Sequence, residues 1–497
     1  MKLTLYLFVA FIILFNLNGC NPQIQQNTDL QTQWDTLRPL ANPDKGWYHH
    51  HFDNGIDKYL ISSDSILATF PGMDHLYLRL CWAYLEPEEG KYDWSYIDDM
   101  VEKYVPLGYG ISFRISTKET GGAPGSVPTE INGIRYATPY WVKQAGAKGV
   151  DRPEFGSPSW TPVWNDPVYL EKLDNFHRAF AEKYDGKPWV RYIDVGSIGE
   201  WGEGHTHFST RIPPTVDEIK VNINIHLKNY KQTQLVVTDD LIYWKKPETD
   251  VKELLDFVVS NGITFRDDSP LVKWYVDNNL DTWSVSHPHF FEAVYKTKPT
   301  VFELEHYRAV KGNGYWLGKN GVDTIPGKEV SGAEIFRNAI QLIHPTYIGF
   351  HGFLEDWLAE NPDLTNELLN LCGYWYFPKS VKITESGKSN LSFHIEWLNK
   401  GVAPAYSIYK IRVRLVEKGN SEKIAATFEI EDSGNKNWMP GELKWHEYSG
   451  SFNKIAPGLY SMYIQLFDEK SGHSVEIGLK ESLKNDDGFF RIAEVKI

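Results

Sequence analysis

The sequence predicts an α/β chain with a (β/α)8 barrel over residues 36–375 and an antiparallel β-sandwich over residues 376–497. Three observations lead to this prediction. Short apolar runs alternate with longer amphipathic stretches from about residue 45 to about residue 375. After Gly373 the pattern changes to alternating polar and apolar residues. The length of 497 residues is enough for two or three domains.

The N-terminus has the pattern of a secretory signal peptide over residues 1–19. Lys2 supplies a positive charge, and residues 3–17 are almost entirely apolar. Cys20 follows Leu-Asn-Gly, which is similar to a bacterial lipobox, so we expect a lipidated Cys20. The protein would then be exported and held at a membrane, on its outer-membrane, periplasmic or cell-surface face; the alternative is an ordinary signal peptide that contains a cysteine. Residues 20–35 are polar and rich in Gln and Asn, which predicts a tether.

The barrel prediction depends on nine strand candidates, of which eight would close a parallel barrel. They are residues 46–51, 75–82, 110–117, 189–199, 233–240, 262–268, 282–287, 299–306 and 344–352. Residues 166–186 predict an amphipathic helix that Asp166 caps. An open doubly wound sheet is the alternative, but no GxGxxG motif follows any of these runs.

The C-terminal segments alternate polar and apolar residues and are separated by Gly, Asn and Pro, which predicts a sandwich of about seven strands. They contain no catalytic cluster that the sequence reveals. We therefore expect an accessory domain that packs on the barrel.

Composition narrows the class of ligand. The net charge is −14 and no basic run occurs, so nucleic acid is not an expected partner. Aromatic residues make up 14% of the chain, and such rings pack on the C–H faces of sugars; the alternative is that they only fill a large barrel. We expect a poly- or oligosaccharide as the partner, acidic ones included. Cys81 and Cys372 are expected as buried free thiols, with a single disulfide as the alternative.

Active residues of such barrels lie at the C-terminal ends of the strands, and ionisable residues gather there in this sequence. The expected substrate-binding residues at this rim are Arg79, Trp82, Arg114, Trp201, Glu203, His205, Asp239, Arg266, Asp267, His287, Glu305, His306 and His351. Lys118, Asp240, Asp268 and His289 occur at the same ends of the runs.

Cleavage of a glycosidic bond needs two carboxyl groups, one to protonate the leaving oxygen and one to act as nucleophile or base. Glu200 follows the fourth candidate strand and Glu303 lies on a later one, so we predict this pair as catalytic. Glu203 is a rival to Glu200. Glu303 and Glu305 have the same parity, and spacing alone does not separate them.

Several segments resemble known families. WAYLEPEEGKYDW (82–94) is similar to the second-strand segment of the clan A glycoside hydrolases, which are retaining (β/α)8 enzymes. Nearly the whole mature chain resembles a bacterial family with domains of unknown function, the DUF4874/DUF4832 type. The segments that carry this resemblance are NPDKGWY (42–48), WNDPVYL (164–170), IDVGSIGEWGEGH (193–205), FRDDS (265–269), KPTVFELE (298–305), HPTYIGFHG (344–352), LCGYWYFPKSVKI (371–383) and WLNKGVAPAY (397–406).

The resemblance implies a barrel with a sandwich and a relative of glycosidases. One position departs from the clan A pattern: those enzymes have Asn immediately before the acid/base Glu, and this chain has Gly199 before Glu200.

Two other function classes remain open from the sequence. Elimination on a uronic-acid sugar, as in a lyase or an oligosaccharide dehydratase, would use Arg79, Arg114 and Arg266 to hold the carboxylate and a His or Tyr to move protons. A surface lipoprotein that binds glycans without catalysis is the third class.

Metal and cofactor chemistry is not expected from this sequence. The His clusters at 49–51, 205/207 and 287/289 could supply imidazole ligands, but a metal site usually pairs His with a carboxylate, and sugar-binding and core histidines are commoner than metal ligands. No P-loop and no GxSxG motif occurs.

Overall fold

The computed structural model describes residues 27–53, 55–120, 125–152, 158–268, 270–273, 287–317, 323–325, 328–329, 331–419 and 423–497. The predicted signal peptide, the lipidation site Cys20 and all but the last residue of the strand candidate at 282–287 lie outside these ranges. They stay predictions.

The N-terminal part of the chain forms a closed barrel of eight parallel strands, as the sequence predicts. The strands in chain order are Gly46–Phe52, Met73–Cys81, Gly110–Ser116, Val190–Asp194, Leu235–Thr238, Thr264–Asp268, Val301–Leu304 and Tyr347–Phe350. Each strand pairs with the next one in the chain, and the eighth pairs with the first. The C-terminal ends of all eight strands therefore open at one mouth.

Helices follow the strands and form the outer layer of the barrel. The α-helices are Asp64–Thr69, Trp82–Leu85, Ser95–Tyr104, Tyr140–Gln144, Pro167–Tyr184, Val216–Asn229, Asp240–Tyr243, Glu248–Ser260, Pro288–Glu292, Tyr307–Gly312, Gly332–Ile343, Leu354–Glu360 and Pro362–Leu371. Three small hairpins lie in the loops: Thr129–Ile131 with Ile134–Tyr136, Gly149–Val150 with Thr161–Pro162, and Asp323–Ile325 with Lys328–Glu329.

Local sequence signals explain where the longer helices begin. The Asp166 carboxylate accepts hydrogen bonds from the amides of Val168 and Tyr169, which confirms it as the N-cap of Pro167–Tyr184. Thr215 with Glu218 forms a capping box at the start of Val216–Asn229. These caps satisfy amide groups that have no partner within the helix.

Strand alternation decides which side chains enter the barrel. In the first strand, Trp47 packs outward against Phe336, Phe350 and Trp357 of the barrel wall and helix layer. The neighbouring Tyr48 belongs to an inner cluster with Tyr77, Tyr192, Val236, Val301 and Tyr347. His50 has the parity of Tyr48 and also faces inward, whereas His49 faces outward and binds a loop carbonyl.

The C-terminal part is an antiparallel sandwich, as predicted. One sheet contains Asn27–Asp29, Tyr376–Ser386, Asn390–Asn399 and Leu443–Ser451; the other contains Lys410–Glu417, Ile424–Ile430, Leu459–Asp468, His473–Val475 and Phe490–Lys496. Alternate residues of both sheets form a shared core in which Trp397 stacks on Trp438.

The N-terminal segment corrects the predicted tether at 20–35. Residues Asn27–Asp29 pair with 380–382 as an edge strand of the sandwich. Leu30 is buried in the sandwich core, and Trp34 packs against Phe377 with ring centroids 5.2 Å apart. Two large apolar side chains in a polar segment are enough to anchor it, so residues 27–34 belong to the sandwich.

Two smaller expectations concern cysteine and the membrane. Cys81 and Cys372 are both buried free thiols, as expected from their apolar neighbours. Across the described residues, helices of the length and apolar character needed to cross a membrane do not occur.

Candidate active site

The mouth of the barrel collects most of the predicted rim residues. Those with mutual contacts or electrostatic coupling are Arg79, Arg114, Glu200, Glu203, His205, Arg266, Glu303, Glu305, His306 and His351. They are contributed by the ends of the second, third, fourth, sixth, seventh and eighth strands and by the loops that follow. Convergence at one end of the barrel therefore confirms the prediction of a rim rich in ionisable groups.

Trp82 is a correction to the predicted rim. It is fully buried on the outer side of the barrel, where it packs against Trp141 and Phe176. Its indole nitrogen donates a hydrogen bond to Glu86 at 2.8 Å. Trp82 is thus a core residue that does not reach the mouth.

The remaining predicted residues lie beside the mouth or face the helix layer. The Asp239 carboxylate caps the short helix after the fifth strand. His287 stacks on Tyr243, with ring centroids 4.0 Å apart. Asp267 alternates with Arg266 in the sixth strand, so its side chain points to the opposite face of the barrel wall. The side chain of Asp268 lies outside the described part of the chain.

The loop after the fourth strand is folded by glycines. Gly199 has φ +82°, and a Cβ at this position would lie 2.3 Å from the amide nitrogen of Gly204. An asparagine at position 199, as in the clan A pattern, does not fit this backbone. The amide of Glu200 donates to the carbonyl of His205 at 2.8 Å, which closes the loop. The tight turn brings both glutamates of the loop and His205 together.

Trp201 sits in this loop with a strained backbone. Its φ is +54°, which is costly for a bulky side chain. The amide of Trp201 donates to the carbonyl of Lys118 at 2.8 Å, and its ring lies 5.7 Å from that of the exposed Phe208. In this conformation the partly exposed ring of Trp201 lies 5.6 Å from the ring of His205.

Glu200 and Glu203 differ in their surroundings. Glu200 is fully buried, and one of its oxygens accepts a hydrogen bond from the Phe208 amide at 2.8 Å. His205 lies between the two glutamates, with its ring nitrogens 3.4 Å from Glu200 and 3.3 Å from Glu203. Glu203, and not Glu200, also contacts the arginines of the mouth.

Six alternating charges form a closed circuit at the mouth, which we call the ion ring. Its members are Asp53, Arg79, Glu203, Arg114, Glu303 and His351. Arg114 joins two glutamates, at 3.1 Å from Glu203 and 3.7 Å from Glu303. His351 Nε2 donates to Glu303 at 2.8 Å. The Arg114 guanidinium and the His351 imidazole thus hold carboxylates at the ends of two strands that lie across the barrel from each other.

The other half of the ion ring runs through Asp53. His351 Nδ1 donates to Asp53 at 2.9 Å, and Arg79 lies 2.9 Å from the other oxygen of the same carboxylate. Arg79 then reaches Glu203 at 3.7 Å and closes the circuit. Three carboxylates and three cations alternate, so the ring balances its own charge.

A second layer of ion pairs lies beneath the ion ring. Arg266 contacts Asp194 at 2.8 Å and Glu303 at 3.0 Å. The Tyr77 hydroxyl donates to Asp194 at 2.7 Å. All four side chains are buried. This layer connects the ion ring to the aromatic cluster inside the barrel.

The ion ring shifts the pKa values of its members strongly. Burial raises the pKa of Glu303, but Arg266, Arg114 and His351 outweigh it and hold that pKa well below its ordinary value. Burial also raises the pKa of Glu203, yet the hydrogen bond from His205 and the charge of Arg114 lower it to about 2. Both glutamates are therefore carboxylates at neutral pH.

Neighbouring carboxylates raise the pKa values of two mouth imidazoles, His351 and His205. Burial lowers the pKa of His351, but the charges of Asp53 and Glu303 and the hydrogen bonds to them raise it to about 10. Burial likewise lowers the pKa of His205, and its hydrogen bonds to Glu200 and Glu203 raise it well above 6.5. Each imidazolium uses both N–H groups on carboxylates.

Glu305 lies above the ion ring and behaves differently. It is partly exposed, and its pKa is raised by burial against the opposing charge of His351. The charge of Glu203 raises this pKa further, so the two carboxyl groups lie within electrostatic reach of each other. Next to it, His306 has a pKa lowered to about 3 by burial and lies 2.7 Å from the Tyr59 hydroxyl.

His50, Asp53 and His351 are the described residues whose grouping could suggest a metal ion, with ligand atoms within 4.8 Å of one another. The geometry does not fit one. Both nitrogens of His351 already donate to carboxylates. The rings of His50 and His351 are stacked 4.0 Å apart, so their in-plane lone pairs run side by side and do not converge.

Sequence reasoning missed three members of this site. Asp53 immediately follows the first strand, Asp194 has an inward-facing position in the fourth strand, and Tyr59 comes from the loop after the first strand. The alternation of the strands and the position after a strand end were the signals that could have identified the two aspartates. Tyr59 carries no such signal, because its place depends on the path of a loop.

Comparisons with known proteins find partial similarities in sequence and in structure. The β-galactosidase BbgII of Bifidobacterium bifidum is 29% identical over 114 residues, which span 22% of this chain and 14% of that protein. Endo-glycoceramidase II from Rhodococcus sp. is 13% identical with a TM-score of 0.39, covering 84% of this chain and 100% of that one. The catalytic domain of β-amylase from Paenibacillus polymyxa is 12% identical with a TM-score of 0.43, covering 67% and 100%.

No family model matches the chain. The resemblance to the DUF4874/DUF4832 type therefore stays a prediction. The barrel assignment rests on the strand pairing described above.

Proposed function

We propose that the chain is a carbohydrate-active enzyme that hydrolyses glycosidic bonds at the barrel mouth. Glu305 is the proton donor and Glu203 is the carboxylate that acts as nucleophile or base. The observation that carries the proposal is the divergence of their pKa values, about 2 for Glu203 and a raised value for Glu305. Neighbouring carboxyls with opposite shifts match the two roles of glycoside cleavage.

The positions of the two groups support these roles. Glu305 is partly exposed at the mouth, where a protonated carboxyl can give its proton to the leaving oxygen. Glu203 lies on the loop after the fourth strand and is ionised by its contacts with His205 and Arg114. A carboxylate held by cations in a water-poor site stabilises the positive charge that develops on the sugar ring.

Glu303 has a supporting role in this proposal. It is fully buried, and one of its oxygens meets Arg266, Arg114 and His351. The other oxygen faces His50 at 3.6 Å within the barrel. Neither oxygen points freely to the mouth. The sequence-based pair of Glu200 and Glu303 stays a prediction that the same experiment tests.

Hydrolysis fits these contacts better than elimination does. The elimination that the sequence suggests needs one of its three rim arginines to hold a uronic-acid carboxylate. Arg79, Arg114 and Arg266 each contact a carboxylate of the protein at 2.8–3.1 Å. The partial match to a β-galactosidase and the partly exposed ring of Trp201, 5.6 Å from the ring of His205, further support a glycosidase.

The experiment is mass spectrometry of products from a panel of neutral and acidic oligosaccharides. A gain of one water per cleaved bond supports hydrolysis. Loss of water, or cleavage with new absorbance from a C=C double bond, would replace it with elimination. Binding without any product would favour a glycan-binding protein.

Four single variants then assign the carboxyl groups. We expect Glu203→Gln and Glu305→Gln to lower kcat/KM by about 10²–10⁴-fold. Glu102→Gln, on an exposed helix of the barrel, is the matched control and should keep full activity. The opposite result would be loss of turnover in folded Glu200→Gln and Glu303→Gln, with Glu203→Gln and Glu305→Gln still active. In that case the pair predicted from the sequence is correct and this proposal fails.

A further inference from the structure

The loop after the first strand places a lysine at the mouth. Lys58 is partly exposed, and its ammonium group lies 5.4 Å from the ring centroid of Tyr59. Burial lowers the pKa of Lys58 against the opposing charges of Asp53 and Glu305, and Lys58 in turn lowers the pKa of His306. Lys58 is therefore among the groups that surround the proposed proton donor.

Lys58 differs from the arginines of the mouth in having no carboxylate of its own. Among the described residues it forms no ion pair, although several ionisable groups surround it. Lys118 also lies close to the mouth, but its ammonium group is buried and donates to the Ser159 carbonyl at 3.0 Å. Lys58 thus has a partly exposed ammonium group that is available to a ligand.

The loop holds Lys58 in place through contacts on both sides of it. His49 bonds the carbonyl of Tyr59 at 2.8 Å, and the Tyr59 hydroxyl lies 2.7 Å from His306. Tyr59 also packs edge-on against Phe353. On the other side, the Ile56 amide donates to the carbonyl of Gly125 at 3.2 Å. An anchored backbone lowers the entropy that the lysine loses when it binds a ligand.

The surrounding charges favour an anion at this position. The raised pKa of Glu305 means that more of this carboxyl is neutral than is usual, which reduces its repulsion of a negative group. The Asp53 carboxylate is already bonded to Arg79 and His351. These carboxyl groups act on Lys58 without forming a direct ion pair with it, so its ammonium group can meet an anion.

We infer that Lys58, with Tyr59 and His306, forms a subsite for a sugar that carries an anionic group. A uronic-acid carboxylate and a sulfate ester share the required chemistry. The inference rests on the proposed function, because it names the substrate class of the same site. It locates the anion beside Glu305, and it assigns its recognition to a lysine and not to the arginines of the rim.

The test measures binding, so that it does not depend on turnover. Oligosaccharides of polygalacturonate are compared by calorimetry with their carboxyl-reduced forms, and those of a sulfated galactan with their desulfated forms. We expect at least one acidic form to bind the wild-type chain about tenfold tighter than its neutral partner, an advantage that salt weakens. The pair that shows the difference identifies carboxylate or sulfate as the anion.

Two variants of Lys58 connect the effect to the residue. Lys58→Met should remove the preference for the acidic form and leave binding of the neutral form unchanged, whereas Lys58→Arg should retain most of it. Lys388→Met, an exposed position in the sandwich, is the matched control. Unfolding curves of all three variants verify that they fold.

Equal affinity for acidic and neutral forms in the wild type would overturn the inference, as would equal losses for both forms in Lys58→Met. If instead the chain does not hydrolyse glycosidic bonds, the result is different: acidic sugars still bind through Lys58, but no hydrolysis product forms.

Discussion

The ion ring and the groups above it use the same kinds of residue in opposite ways. In the ion ring every charge meets an opposite charge, and its members are buried. Above it, Glu305 and Lys58 are partly exposed, and neither has an ion-pair partner among the residues that the structure describes. Glu303, in the seventh strand, and Glu305, just after that strand ends, are only two residues apart in the chain.

The difference teaches that ionisable residues at a barrel mouth divide into support and chemistry. Charges that satisfy one another fix the positions of the strand ends and resist a change of protonation. Groups that the protein leaves unpaired are those that a substrate can engage. The following predictions test this division, from the largest effect on stability to the smallest.

Glu303→Gln should have the largest effect on stability. The amide removes the negative charge that Arg266, Arg114 and His351 share, and it leaves buried cations without compensation. We expect the free energy of unfolding to fall by about 3–5 kcal/mol. Glu305→Gln, two residues away, should change it by about 0.5 kcal/mol or less. Urea unfolding followed by tryptophan fluorescence measures both; similar losses would show that the two regions do not differ.

The loop that carries Glu203 into the ion ring offers the next test. Gly199→Ala forces an L side chain into a left-handed backbone and against the amide of Gly204. Gly133→Ala is the matched control, since its φ is +72° but no atom lies within 4 Å of its added Cβ. Left-handed strain costs about 1–2 kcal/mol in each variant.

The collision in Gly199→Ala should add about 1–3 kcal/mol of destabilisation. It should also lower activity, because Glu203 moves away from Arg114. Equal unfolding free energies of Gly199→Ala and Gly133→Ala would show that the loop has room for a side chain and that glycine is not required there.

The ion ring should also set the pH range of stability. His351 has its pKa raised to about 10, so its contribution is complete below about pH 6.5 and is lost as the pH rises to 10. Glu203 and Glu303 have lowered pKa values, so their contributions are complete above about pH 4.5 and are lost as the pH falls. Stability should be greatest between about pH 5 and 6.5.

The test compares unfolding midpoints of the wild type and His351→Gln across this pH range. Glutamine keeps hydrogen bonding but cannot carry a positive charge. The alkaline decline should be smaller in the variant than in the wild type. An unchanged alkaline decline would mean that His351 is not protonated in the folded protein.

Much of this arrangement could be predicted from the sequence, and what could not has physical reasons. The alternation of apolar runs with amphipathic stretches predicts the eight barrel strands. The two-residue period of side chains along a strand predicts that Glu303 and Glu305 both point into the barrel. They do not reveal that Trp82 begins an outer helix, because an aromatic residue at a strand end fits either side. They also assign residues 27–34 to a tether, since a three-residue edge strand has no sequence period.

The division between the ion ring and the upper groups could not be read from residue types. Glu203 and Glu305 are both glutamates near strand ends, and their opposite pKa shifts depend on which cation lies within about 4 Å. For Glu203, the distance to its cation depends on the glycine-containing loop after the fourth strand and on Arg114 of the third strand. Only the folded chain brings these elements together.

The smallest effects on stability are expected when one tyrosine hydroxyl is removed from each region. Tyr77→Phe deletes the hydroxyl that donates at 2.7 Å to Asp194, which Arg266 also contacts below the ion ring. Tyr59→Phe deletes the hydroxyl that lies 2.7 Å from the neutral His306 above it. A hydrogen bond to a buried charge contributes about 1.5–3 kcal/mol, and one between neutral groups about 0.5–1.5 kcal/mol.

The unfolding free energy should therefore fall more in Tyr77→Phe than in Tyr59→Phe, whereas affinity for the acidic oligosaccharides should fall only in Tyr59→Phe. Both quantities come from the same protein samples, by urea unfolding and by calorimetry. If Tyr59→Phe is the more destabilising variant, then the upper groups are part of the structural support, and the division of the mouth into two regions is wrong. If Tyr77→Phe weakens binding instead, the ion-paired layer lies closer to the substrate than its burial indicates.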